Sequence, residues 1–325
     1  MGCYFPCKIS VYFPKSEKSR TFILYFCLQK LPLQEIRNTM PQSPAPFTLN
    51  LGGRLFTLDR PVVMGILNVT PDSFYEGSRT PSSQPEAIRR RVRQIVDEGG
   101  QMIDIGAYST RPGASEVSPR EEMERLESAL QVVHEEAPEA IISIDTFRAD
   151  VAQSCVEQLG AHLINDISGG DLDKGMFRTV ARLGVPYVLM HIQGTPGTMQ
   201  VAPHYDNVVA EVLEHLARRV QKLRDCGGKD IIIDPGFGFG KTLEHNYRLM
   251  ERLEDFHELE LPLLVGISRK SMIYRLLDTS PQEALNGTTV LNTIALLRGA
   301  HILRVHDVKA AVEACRIVEK MREEN

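Results

Sequence analysis

Eight short β-branched runs constrain this chain more than any other feature: each is followed by a polar or glycine-rich turn, then by a longer stretch with apolar residues at helical spacing. The runs fall at residues 62–69, 102–107, 141–145, 163–167, 187–191, 231–234, 263–268 and 302–306. Strands separated by helices must pair in parallel, because only a long crossover returns the chain to the same end of the sheet. Amphipathic segments at 84–98, 119–136, 206–225 and 281–298 are long enough for that crossing. Eight parallel strands can close on themselves, so the expected fold is α/β, a single (β/α)₈ TIM barrel. An open doubly wound sheet is the alternative.

Such a barrel needs roughly 250 residues, and the chain has 325. Residues 46–325 are assigned to it and 1–45 to an N-terminal extension. The segment through residue 40 carries no periodicity that continues into the rest. Met40 opens a Pro-rich stretch leading into Phe47, which makes it a candidate translation start. A genuine extension with a partner or targeting role is the other reading. Hydrophobic residues make up 42% and charged residues 24%, enough for a core and incompatible with wholesale disorder.

The 37 basic and 42 acidic residues leave a net charge of −5, without the basic excess that nucleic-acid binding calls for. Small molecules are the expected partners. The six cysteines show no paired spacing, so neither a disulfide framework nor a zinc site is expected. The apolar run at 21–28 is too short to span a bilayer and lacks a small-residue cleavage site. A cytoplasmic protein with no membrane partner follows.

Polar residues stand at the carboxyl ends of the runs: Asn68, Asp104, Asp145, Asn165, His191, Asp234, Ser268 with Lys270, and Arg304 with His306. In a barrel, those ends form the active-site face. Any one of these residues could simply cap the next helix. Caps do not explain the cations, and Arg304 and His306, two apart on a strand, share a face. An unpaired buried polar group costs about 2–7 kcal/mol, so this mouth must hold water, a metal or a polar ligand. Asp145, Asp234 and Asn165 opposite Lys270 suit a flat heterocycle with adjacent N–H and NH₂ donors on one edge. Arg111, Arg304 and His306 suit a phosphate or pyrophosphate.

Over residues 62–308 the chain resembles the dihydropteroate synthases, and eight strings carry the resemblance in family order. They begin with Met64-Gly-Ile-Leu-Asn-Val-Thr-Pro-Asp-Ser-Phe74 and Ile103-Asp-Ile-Gly-Ala-Tyr-Ser-Thr-Arg-Pro-Gly113. Ser143-Ile-Asp-Thr146, Ile164-Asn-Asp-Ile-Ser-Gly-Gly170, Leu189-Met-His191 with Gln193-Gly-Thr-Pro196, and Asp234-Pro-Gly-Phe-Gly-Phe-Gly-Lys241 follow. Ser268-Arg-Lys-Ser271 and Arg304-Val-His-Asp307 complete the set.

The resemblance implies an enzyme that joins 6-hydroxymethyl-7,8-dihydropterin pyrophosphate to p-aminobenzoate and releases pyrophosphate. It implies that Asp145, Asn165, Asp234, Lys270 and Arg304 hold the pterin. Asn68 would bind an accompanying Mg²⁺, and Asn68, Arg111, Arg304 and His306 the pyrophosphate. Thr110, Pro112, Phe239, Lys270 and Ser271 would form the p-aminobenzoate site. The residues expected to carry catalysis are Asn68, Arg111, Lys270, Arg304 and His306. A homodimer is also implied.

Two departures from the family pattern fall beside the p-aminobenzoate site: Gly106-Ala107-Tyr108 replaces Gly-Gly-Glu, and Tyr75-Glu76 follows Phe74. Both put loop packing in doubt. Two rival readings stay open. A pterin-binding methyltransferase barrel would have no use for the pyrophosphate residues, and a non-catalytic homologue would show erosion at Asn68, Arg111 or Arg304. The glycine-rich string 234–241 lacks the spacing of a nucleotide phosphate loop.

Overall fold

A computed structural model describes residues 46–70, 84–108 and 117–323. It opens with an antiparallel hairpin of β1 (Phe47–Leu51) and β2 (Arg54–Leu58), which the sequence reading did not anticipate. Its two-residue turn, Gly52 and Gly53, has φ of +64° and +100°, the left-handed backbone that such a turn demands and glycine supplies freely.

The eight expected strands follow: β3 (Val62–Asn68), β4 (Met102–Gly106), β5 (Ile141–Asp145), β6 (Leu163–Asp166), β7 (Tyr187–Met190), β8 (Ile231–Asp234), β9 (Leu264–Val265) and β10 (Ile302–Val305). They pair in parallel in the order β8-β7-β6-β5-β4-β3-β10-β9. A parallel bridge between Ile233 and Leu263 joins the two ends, with the Ile233 N–H donating to Pro262 O at 2.9 Å. The sheet therefore closes, and the open alternative is excluded.

Around it run α1 (Gln84–Asp97), α2 (Pro119–Glu136), α3 (Ala149–Leu159), α4 (Met176–Leu183), α5 (Val208–Asp225), α6 (Leu243–Glu251), α7 (Ser271–Tyr274), α8 (Leu285–Leu297) and α9 (Val308–Glu323).

Three boundaries differ from expectation. The seventh strand is only two residues long, because the chain turns at Ile267, whose carbonyl accepts the Lys270 N–H at 3.1 Å. The segment 281–298 divides into a 3₁₀ turn, Pro281–Glu283, and α8. Helix α5 starts at Val208, because the Asn207 side chain caps it by accepting the Ala210 N–H at 3.1 Å.

Strand side chains alternate, and that period of two builds the site. One buried cluster takes Val62 and Met64 from β3 and one residue from each other barrel strand: Met102, Ile141, Leu163, Val188, Ile232, Leu264 and Ile302. Leu49, Leu51 and Leu58 of the hairpin join this plug. The intervening strand residues, such as Ile103, Ile142 and Ile164, pack outward against the helices. Two residues further along each strand from the plug stand Ile66, Asp104, Ser143, Asn165, Met190, Asp234, Gly266 and Arg304, five of the eight polar. The barrel is thus apolar at its amino end and polar directly above.

Candidate active site

The lowest polar layer is a closed hydrogen-bond network. Asp104, fully buried in the middle of β4, accepts from Ser143 Oγ at 2.6 Å, Asn165 Nδ2 at 3.1 Å and Arg304 Nε at 2.6 Å. Arg304 Nη2 donates to Asp145 Oδ2 at 2.8 Å. Burial works against the guanidinium charge, but Asp104 and Asp145 outweigh it and hold the Arg304 pKa above its ordinary value. Burial also pushes the Asp145 carboxyl up, and Arg304 offsets this only in part.

Above this floor lies a cavity of about 280 Å³, bordered by Asn68, Asp145, Asn165, Asp234, Lys270 and Arg304, with Tyr108, Phe239, Ser268 and His306 around it. Burial raises the Asp234 carboxyl above the usual carboxylate range, and the Lys270 ammonium pulls the other way. Asp234 Oδ1 accepts the Gly236 N–H at 2.7 Å. Burial lowers Lys270 to about 8, with Asp234 opposing that fall. Its Nζ donates to Phe237 O at 2.5 Å and sits 4.6 Å from the centre of the Phe239 ring.

His306 is held near 4 by burial and by Arg304 and Arg91. It is therefore neutral at pH 7. Its Nδ1 lies 3.1 Å from Ser268 Oγ, while Arg91 holds its backbone by donating to the carbonyl at 2.6 Å.

The loop leaving β8 passes so close to β7 that only glycine fits. A Cβ at Gly236 would lie 1.9 Å from His191 O, and φ there is +71°. A Cβ at Gly240 would meet Gln193 O at 2.6 Å. These approaches place Phe237 and Phe239 against the strand ends.

Two carboxylates, an amide and a lysine on one cavity offer acceptors suited to a heterocycle that presents N–H groups. The family model described as "Pterin binding enzyme" matches residues 64–306. The dihydropteroate synthase of Escherichia coli (strain K12) is 46% identical over 269 residues, covering 82% of this chain and 94% of that one. The chain belongs to the dihydropteroate synthase family.

The crystal structure of the Yersinia pestis dihydropteroate synthase with a sulfonamide drug complex superposes with a TM-score of 0.78 at 41% identity, covering 86% of this chain and all of that one. The Xanthomonas albilineans dihydropteroate synthase in complex with 7,8-dihydropteroate gives 0.75 at 37% identity, covering 85% and 99%. The chain is an enzyme, a transferase of folate synthesis.

Of the residues expected at this synthase site, the cavity brings together Asn68, Asp145, Asn165, Asp234, Phe239, Lys270, Arg304 and His306. Ser271 begins α7 and is not among the lining residues. Thr110, Arg111 and Pro112, with the departure at Tyr75 and Glu76, lie outside the described residues. Two expectations about charge change. Arg304 is not a free cation, since two of its five N–H groups serve Asp104 and Asp145. His306 offers an uncharged ring.

Asp104 belongs to the polar set expected at the mouth but has no role among the residues the resemblance implies, yet it is the acceptor on which the floor of the site converges. The alternation Ile103-Asp104-Ile105 was the signal for an inward carboxylate. Tyr108, the departure beside the β4 end, lines the cavity and packs edge-on against Phe147 at 5.1 Å, with the Arg148 guanidinium 5.3 Å from its ring centre. Among the described residues, no group of three or more His, Cys, Asp or Glu side chains is placed to hold a metal ion. No described helix is long and apolar enough to cross a membrane.

Proposed function

We propose that this chain condenses 6-hydroxymethyl-7,8-dihydropterin pyrophosphate with p-aminobenzoate to give 7,8-dihydropteroate and pyrophosphate. The observation that carries the reading is the pair of inward carboxylates, Asp145 and Asp234, on one cavity with Asn165 and Lys270. The pterin ring's N–H and NH₂ groups donate to the carboxylates, while its carbonyl and ring nitrogen accept from Lys270 and the Asn165 amide.

Asp104 and Arg304 act beneath the ring. The ion pair stiffens the floor, and Arg304 favours the charged form of Asp145 against the burial that raises its pKa. Asn68, with Arg111 and the remaining N–H groups of Arg304, holds the pyrophosphate, and neutral His306 contributes an N–H donor. Mg²⁺ suits this site as an ion carried in with the substrate: it takes one or two protein oxygens plus phosphate oxygens, and the Asn68 side-chain oxygen is a hard donor of that kind. Bound there, it would neutralise charge on the leaving pyrophosphate.

The C–O bond to pyrophosphate breaks as positive charge spreads from the methylene carbon into the pterin ring. The arylamine nitrogen then forms the C–N bond and loses one proton to solvent. An arylamine is already neutral at pH 7, so no strong base is required, and positioning with charge stabilisation carries the rate. Phe239 and Lys270, with Thr110, Pro112 and Ser271, form the p-aminobenzoate site.

We take the working unit to be a homodimer in the cytoplasm. Exposed Leu276, Leu277, Leu285 and Val290 lie on or beside the neighbouring helices α7 and α8, and Cys155, Cys226 and Cys315 are free thiols, as suits a reducing compartment. Light scattering should give twice the chain mass. Chromatographic detection of 7,8-dihydropteroate from the two substrates and Mg²⁺ tests the activity. Absence of that product would refute it.

A further inference from the structure

Every backbone carbonyl from Gly236 to Gly240 accepts a side-chain hydrogen bond. Lys241 Nζ donates to Gly236 O at 2.9 Å and to Phe239 O at 3.0 Å. Lys270 Nζ serves Phe237 O at 2.5 Å, Gln200 Nε2 serves Gly238 O at 2.8 Å, and the Tyr205 hydroxyl serves Gly240 O at 2.8 Å. The third Lys241 proton points to His191 Nδ1 at 2.9 Å. An ammonium has three N–H donors, and all three are used.

Lys241 is 4% exposed and does not line the cavity. Its hydrogen-bond partners are two carbonyls and an imidazole, none of them a carboxylate, and the charge of Asp234 offsets its burial only from further off. Burying a cation among neutral acceptors is costly. Burial accordingly drives the Lys241 pKa well down, and His191 beside it is driven to about 2. A methionine would fill the same space without that cost, so the ammonium must be retained for what it holds. It clamps the carbonyls on either side of Gly238, across the turn that presents Phe239 to Lys270.

We propose that Lys241 is a positioning residue for the arylamine half of the reaction, fixing the loop that carries Phe239 so that ring and Lys270 ammonium stay in contact. This rests on the reading of Phe239 and Lys270 as the p-aminobenzoate site. The pterin half depends on the clamp less, because the Asp234 backbone is anchored by the ladder between β7 and β8 and by the His191 N–H, which donates to its carbonyl at 3.1 Å, and the clamp reaches its side chain only through the Gly236 N–H, which donates to Asp234 Oδ1 at 2.7 Å.

The test is steady-state kinetics of Lys241→Met with each substrate varied in turn. KM for p-aminobenzoate should rise about ten-fold or more, while KM for the pterin pyrophosphate and kcat should change by less than about three-fold. Equal rises in both KM values, or no change in either, would overturn the proposal. If Lys241→Met does not fold, Gln200→Ala and Tyr205→Phe each release one carbonyl of the same loop. Both should raise KM for p-aminobenzoate alone, and failure in both variants overturns the clamp. A wild-type chain that turns over normally, with variants that shift both substrates equally, removes only the role of Lys241. A wild-type chain with no turnover removes the proposed function as well.

Discussion

The Nε–H of Arg304 donates to Asp104 Oδ2 at 2.6 Å across the β3 strand that separates their own strands. Register makes this contact possible. Arg304 pairs with Met64, Ile66 pairs with Asp104, and both polar side chains lean over the apolar plug. Asp104 also takes Ser143 and Asn165, so one carboxylate organises four strands.

Replacing Asp104 with Asn should therefore cost far more than its size suggests. The amide turns an NH₂ toward donors that need an acceptor, and Asp104 is fully buried while Arg304 is partly so, which puts the cost of altering one partner toward the low end of the about 3–5 kcal/mol seen for buried pairs. Urea denaturation should show that loss, and calorimetry should show weaker pterin binding. A variant with wild-type stability would mean that the floor is not the network described.

Asp234→Asn should act on binding more than on folding. Asp234 faces the cavity and has Gly236 as its side-chain hydrogen-bond partner in the protein. With pterin bound, the amide would leave one donor facing a donor, at about 1–3 kcal/mol, or roughly ten- to hundred-fold in affinity. Unchanged pterin affinity by calorimetry would remove Asp234 from the pocket.

Affinity and stability should respond to pH with opposite signs. Lys270 falls from 10.5 to about 8 on folding, so the unfolded chain binds more protons between those values. The penalty of burying this lysine is full below about 8 and fades as pH rises toward 10.5. The stability deficit of wild type relative to Lys270→Met should shrink over that window, while pterin affinity falls through about 8 as the ammonium donor is lost. Asp145 and Asp234 are raised by burial, so ionising them costs stability as pH climbs above the usual carboxylate range, yet creates the acceptors the pterin needs. Affinity should be bell-shaped, and a flat calorimetric profile from pH 5 to 10 would contradict this assignment.

The hairpin should matter to folding and not to chemistry. Leu49, Leu51 and Leu58 are buried against the barrel's amino end, and each contributes about 1.5–3 kcal/mol. A chain starting at Pro61 should lose about 4 kcal/mol or more relative to one starting at Met40. Equal denaturation midpoints would show that the hairpin does not seal the barrel.

The barrel was legible because each strand repeats the same two-residue alternation and each crossover the same helical spacing. The residues that line the cavity were legible because a carboxylate ending an apolar strand, as in Ile231-Ile-Ile-Asp234, stands out. Asp104 was harder to assign, since a polar residue in the middle of Ile103-Asp-Ile105 has no visible partner until Arg304 arrives from 200 positions away. Lys241 was hidden for another reason: two of its acceptors are backbone carbonyls of its own loop, which no residue type announces, and the third is a histidine just past β7. The hairpin carried a readable signal in Gly52-Gly53, overshadowed by the stronger pattern that begins at Pro61.

The most direct test of the account is pyrophosphate release from the pterin pyrophosphate, followed with and without p-aminobenzoate in the presence of Mg²⁺. Release should be fast with p-aminobenzoate, matched one for one by 7,8-dihydropteroate, and slow without it. Release at the same rate in both cases, or none in either, would contradict the assignment of this site to pterin–arylamine condensation.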